Sequence, residues 1–338
     1  MIFTIHNSYI LLKEAYMTYE TFLSLILNET QNLAEKDVSV SVQKTVKNNG
    51  VSLDSLSIRR AGSSIAPAIC LDPYYEEAES GTPLEAIARQ ILELASQQSM
   101  FPPRLDSWIR DFSQVKTQIA FRLVSARENE TLLSSVPHVP FLDLALIFYV
   151  IVEQQRDGQT TLLIHHEHAK LWNTDAGELY QLACSNTPLL LPAKITPLEQ
   201  IIASLSPDIP MFQTDEITPA GLNQEEGAFP LHVLTNSAGL NGAACILYPR
   251  ILKNFAELVK DDVYILPSSI HEVLLTPVSS SPSVQELNQI VSEINELDVP
   301  AEDRLSNHIY CYSPLEDQIF IPSCPSSASA SSGIWNPQ

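Results

Sequence analysis

The sequence predicts an α+β fold: mostly antiparallel mixed sheets with flanking helices, ending in a disordered Ser-rich C-terminal tail. Three observations carry this. Segments with helical apolar spacing and segments with a period of two are intermixed, without the regular βα repeat of a parallel fold. Turn signals join the strand-like runs as hairpins, most clearly Asp157-Gly158 after the apolar run 141–154. Only 10 glycines occur among 338 residues, too few to favour a glycine-rich nucleotide fold.

The elements follow in order. Thr18 is an N-cap, with Phe22, Leu23, Ile26 and Leu27 at helical spacing behind it, for a helix to about Glu35. Val38, Val40 and Val42 alternate with polar residues, which marks a half-buried strand. Asn48-Asn49-Gly50 turns the chain into a return strand over 51–58, and a third strand is expected over 65–71. Asp72-Pro73 starts a short helix whose Tyr74 and Tyr75 pack inward. Thr82-Pro83 opens another with Leu84, Ile87, Ala88, Ile91 and Leu92 on one face.

Residues 114–125 read as a strand. The run 141–154 is apolar on both parities, so it predicts a central strand covered on two faces. A helix near 176–183, a loop at Asn186-Thr187-Pro188 and a helix over 197–205 follow. Next come a strand at 231–234, a helical stretch over 242–260 broken near Pro249, and strands at 263–266 and 273–276. Residues 283–297 form an amphipathic helix, and 309–312 with 318–321 a last hairpin.

As domains, 1–16 read as an extension or a misplaced start, because Met17 offers a second one. Residues 17–205 read as an α+β domain, and 206–229 as a Pro- and acid-rich loop or linker. Residues 230–321 form a smaller α+β unit, either separate or part of the same domain, and 322–338 the disordered tail.

The chain carries 19 Lys+Arg against 40 Asp+Glu, a formal charge of −21. Such a chain repels phosphate backbones and anionic lipid, which argues against general nucleic-acid binding and membrane docking. An acidic surface suits a basic protein partner, or simply keeps the chain in solution. The five cysteines are widely spaced with no C-x-x-C, which fits free thiols in a reducing compartment. No signal-peptide pattern opens the chain, and its longest apolar stretch is shorter than the roughly 20 residues of a spanning helix. The expected location is the cytoplasm.

Two constellations could carry chemistry. His165, His166 and His168 surround Glu167, and imidazole is a common zinc ligand. On a strand His166 and His168 would share a face; at a helix start His165 and His168 would converge. The spacing is not that of H-E-x-x-H, and polar residues capping an element's end account for it equally well. The stretch Ser268-Ser269-Ile270-His271-Glu272 places hydroxyl, imidazole and carboxylate close in sequence, yet such triads assemble across a fold. Ser113 and Lys116 match S-x-x-K, but no K-T-G follows and the stretch reads as the approach to a strand.

Several stretches, in their order along the chain, resemble a bacterial family known only as domain of unknown function 5688. They are 44–50 (KTVKNNG), Glu167-His168 through Trp172, Asn186-Thr187-Pro188, 242–249, 265–272 (ILPSSIHE), and 298–306 ahead of His308-Ile309-Tyr310. The resemblance covers about residues 17–321. It implies a soluble protein without a familiar catalytic signature and supplies no catalytic residues; His165 and His166 lie outside what matches. The expectation is a non-enzymatic protein-binding or regulatory module in the cytoplasm, open to self-association and needing no cofactor. The alternative is a metal-assisted hydrolase built on His165, His166 and His168, with Glu167 and His271 in support.

Overall fold

The computed structural model describes residues 17–61, 68–98, 105–155, 158–205, 229–267 and 269–323. The expectations for the N-terminal 16 residues, for Gly62-Ser63-Ser64, for most of the 206–229 segment and for the Ser-rich tail lie outside them. Chain contacts group into two units. One runs to Ser107, and the other comprises Trp108 onward together with Asn48–Gly50.

The first unit is a three-stranded antiparallel sheet with helices. Helix α1 (Tyr19–Leu33) starts where Thr18 Oγ1 accepts the Thr21 amide. Strands β1 (Val38–Val46) and β2 (Ser52–Arg60) pair antiparallel, and β3 (Ala68–Cys70) pairs with β2. Helix α2 (Asp72–Glu79) follows with Pro73 in its first turn, then α3 (Leu84–Gln98). The core is Phe22 and Ile26 of α1, Leu56 and Ile58 of β2, Ile69, Leu71, and Ile87, Ala88, Ile91 and Ala95 of α3. Tyr75 packs edge-on to Tyr19 and its hydroxyl donates to the Met17 carbonyl, so the tyrosines do turn inward.

The second unit opens with α4 (Leu105–Arg110) and α5 (Phe112–Val115), leading into β4 (Ile119–Ser125). The strand expected over 114–125 is therefore shorter. Asp111 accepts the Ser113 amide (3.1 Å) and hydroxyl (2.6 Å), which caps a helical turn ahead of it. Ser113 stands at a helix start, but its hydroxyl serves that cap. Helix α6 (Glu130–Leu133), β5 (His138–Phe141), β6 (Leu144–Gln155) and β7 (Gly158–Leu163) follow. Strand β6 pairs with β4 on one side and with β5 and then β7 on the other. It is the central strand its double-sided apolar run predicts, and 144–151 are all buried.

Helix α7 (His166–Trp172) and α8 (Ala176–Leu190) come next. The loop expected at Asn186-Thr187-Pro188 is instead the last turn of α8. Pro188 lacks the amide that would bond one turn back. Tertiary bonds offset this loss: Asn186 Nδ2 donates to the carbonyls of Lys116 and Ile119, and Thr187 Oγ1 accepts the Phe121 amide. These side chains also cover the outer edge of β4, which would otherwise stand unpaired.

The rest is a six-stranded antiparallel sheet in the order β13-β12-β10-β11-β9-β8. Its strands are β8 (Ala193–Pro197), β9 (His232–Asn236), β10 (Val263–Leu266), β11 (Val273–Pro277), β12 (Tyr310–Ser313) and β13 (Gln318–Phe320). Helix α9 (Leu198–Leu205) follows β8, so residues on both sides of the 206–229 segment belong to one sheet. Between β9 and β10 lie a 3-10 turn (Gly242–Leu247) and α10 (Ile251–Val259), separated at Pro249 as expected. Gly242 is packed so closely that a methyl there would collide with Thr235 Oγ1, the His271 carbonyl and the Asn236 amide. Helix α11 (Val284–Leu297) starts at a capping box, Ser283 with Glu286, and buries Leu287, Val291 and Asn295.

Candidate functional site

The strongest gathering of titratable side chains is centred on Asp143, in the two-residue turn between β5 and β6. Leu142 before it has φ 53°, a region a branched side chain avoids. Asp143 takes three hydrogen bonds from the segment leading into β12. Tyr310 Oη donates to Oδ1 (2.7 Å), Ser306 Oγ donates to Oδ2 (2.6 Å), and His308 Nδ1 donates to Oδ2 (3.3 Å). Burial pushes the Asp143 carboxyl up. The bonds from His308, Ser306 and Tyr310 more than offset this and hold it below the usual range. The bond to Asp143 raises the His308 imidazole against its own partial burial, and burial with the Asp143 charge raises the Tyr310 phenol far above its ordinary value. Chemically this is a carboxylate orienting an imidazole, with the His308 side chain 59% exposed. No sequence motif flags it, because Asp143 stands more than 160 residues from its partners.

Beside it in the chain, the 3-10 turn Ala301–Asp303 forms a second polar node. The Asn241 amide donates to His271 Nδ1 (3.2 Å), which places the ring proton on Nε2, facing Asp303 Oδ1 at 3.2 Å. Ser269 Oγ accepts the His271 amide (3.0 Å) and so points to backbone rather than imidazole. Ser268 lies outside the described residues. Glu272 is exposed. The constellation at 268–272 is thus brought together as a turn whose histidine has both ring nitrogens engaged. Asn49, with φ 58°, donates through Nδ2 to the carbonyls of Ala301 and Arg304, and its Oδ1 accepts from buried Asn129. Three stretches that carry the family resemblance, 44–50, 265–272 and 298–306, therefore meet at this node.

The histidine cluster sits at a helix start rather than on a strand. His165 is the N-cap of α7; its side chain accepts the His168 amide while His168 Nδ1 accepts the His165 amide (3.0 Å). The His168 ring stacks on Trp172, and burial, helped by the His165 charge, pushes it down. His166 and Glu167 are exposed. His165 and His168 come together as a reciprocal cap, and His166 does not join them. Among the described residues no three His, Cys, Asp or Glu side chains are placed to hold one metal ion.

Other buried groups are apart from these nodes. Cys245 and Cys311 are buried, and burial pushes both thiols up to about 12, which leaves them unreactive. No helix among the described residues is long and apolar enough to cross a membrane.

The chain belongs to the Family of unknown function (DUF5688), whose family model matches residues 19–314. No curated protein and no solved structure matches it.

Proposed function

We propose that this chain is a cytoplasmic protein-binding or regulatory module rather than an enzyme, and that its acidic C-terminal sheet and helix receive a basic protein. One observation carries the reading. Between Asp261 and Asp317 there are eleven carboxylates and a single Lys or Arg, Arg304. That guanidinium donates to the carbonyls of Val299 (2.9 Å) and Glu296 (3.4 Å) and neutralises none of them. Glu286, Glu293, Glu296 and Asp298 are exposed on or just after α11, and Ile294 and Leu297 are exposed among them, Leu297 at 82%. An apolar spot rimmed by one sign of charge is how many protein interfaces are built. Long-range attraction to a basic surface speeds encounter and selects the partner.

Three of the four histidines that the sequence singles out support the same reading, because His165, His168 and His271 are engaged in local backbone or side-chain bonds. Affinity capture from the source cells tests it. The wild type is compared with the triple variant Glu293→Lys, Glu296→Lys, Asp298→Lys, at about 0.1 M and about 0.5 M salt, since screening shortens the reach of exposed charges. A basic protein held by the wild type at low salt, released at high salt and not held by the variant is the expected result. The same captured set with both chains, or no difference between salts, overturns it.

A further inference from the structure

We propose that the cavity between the start of α10 and the β12–β13 hairpin binds a small organic anion, a carboxylate or phosphate head on a short apolar body. The cavity measures about 140 Å³. That is room for roughly four or five waters, or one small metabolite. Its lining combines apolar residues, Ile246, Leu252 and Ile319, with the polar Arg250, Lys253 and Gln318. Arg250 and Lys253 stand one helical turn apart, and neither side chain has a hydrogen-bond or ion-pair partner among the described residues. One acid, Asp317, also lines the cavity and accepts a hydrogen bond from Tyr312 Oη at 2.5 Å, so the lining sets two cations against one carboxylate.

Charge makes this arrangement informative. The chain carries 40 Asp and Glu against 19 Lys and Arg, a net charge of −21, yet two of those cations line this one cavity. The overall field opposes anions, so an anion is held only where local cations and an enclosing wall act together. Apolar lining residues beside two cations favour an amphiphilic anion over bare chloride. Arg250 supplies a planar fork suited to either oxyanion, and Lys253 a mobile point charge. The cavity borrows Tyr312 and Asp317 from the end of the acidic stretch proposed for a protein partner, but its test does not depend on that partner.

Isobutyrate, inorganic phosphate and the neutral isostere isobutyramide are titrated into the full chain while backbone amide NMR shifts are followed. The expected result is saturable shifts at 246–253 and 318–319 with isobutyrate or phosphate, at a Kd of about 1 mM or below. Isobutyrate perturbing the site alone identifies a carboxylate ligand; phosphate alone identifies a phosphate head. Binding should weaken at least about tenfold in Arg250→Gln/Lys253→Gln, the loss expected when charge-assisted bonds are removed. Both positions face solvent in part, so that variant keeps its fold, which its amide spectrum reports directly. No saturable shift with either anion, an equal response to isobutyramide, or undiminished affinity in a folded variant overturns the proposal.

Discussion

Residues 17–98 and residues 261–317 hold the same number of carboxylates, eleven each, but six Lys or Arg against one. In the first region three of the six cations are paired with acids: Lys44 with Asp54, Arg60 with Glu35 and Asp37, Arg89 with Glu85. Most of these groups are more than half exposed, where an ion pair adds little stability. In the second unit the carboxylate that matters structurally, Asp143, is satisfied by two hydroxyls and an imidazole instead. The acids between 261 and 317 have no Lys or Arg ion-pair partner among the described residues. With six cations among eleven acids the first region carries a formal −5, half the −10 of the second with its single cation, so the second exerts the stronger pull on a basic partner.

The comparison breaks most easily at Asp143. Asp143→Ala leaves the Tyr310 hydroxyl buried without an acceptor and should cost about 3 kcal/mol in chemical denaturation. Asp143→Asn keeps one acceptor oxygen and should cost roughly half as much. An Asp143→Ala loss under about 1 kcal/mol would place the hub on a level with the exposed pairs and erase the contrast.

His308→Ala should cost about 0.5–1 kcal/mol, limited by the exposure of the ring. Its pH dependence sharpens the comparison. The imidazole is raised in the folded state, so its contribution is full below about pH 6.5 and is lost as pH rises through the raised value. Asp143 is lowered, so its contribution is full above the ordinary carboxylate range and is lost as pH falls through the lowered value. The melting-temperature gap between wild type and His308→Ala should be widest near pH 5–6 and shrink toward pH 9. A gap that widens at alkaline pH would contradict the assignment.

Smallest of all, Lys44→Ala and Arg89→Ala should each change stability by no more than about 0.5 kcal/mol, less still in high salt. Thermal melts at two salt concentrations read this directly.

Much of the fold is legible in the residues. The alternating valines of β1, the two-sided apolar run of β6 and the Ser283–Glu286 box of α11 are local patterns with local consequences. The misread segments are those where distant groups override local preference. Pro188 remains helical because Asn186 and Thr187 bond to β4, and 112–118 curl because Asp111 caps them. The polar nodes were half legible. His271 stands among residue types that suit a polar node, but its partners Asn241 and Asp303 are tens of residues away. Asp143 looks in sequence like an interruption of an apolar run, and nothing near it announces Ser306, His308 or Tyr310.

The most direct measurement is zero-length cross-linking of carboxylates to lysines in intact cells, followed by mapping of the joined peptides. The account predicts links from a partner's lysines to Glu293, Glu296, Asp298 and their neighbours between 261 and 317, with few to residues 17–98. Links spread evenly over both regions, or concentrated on Glu20, Glu85 and Glu93, would contradict it.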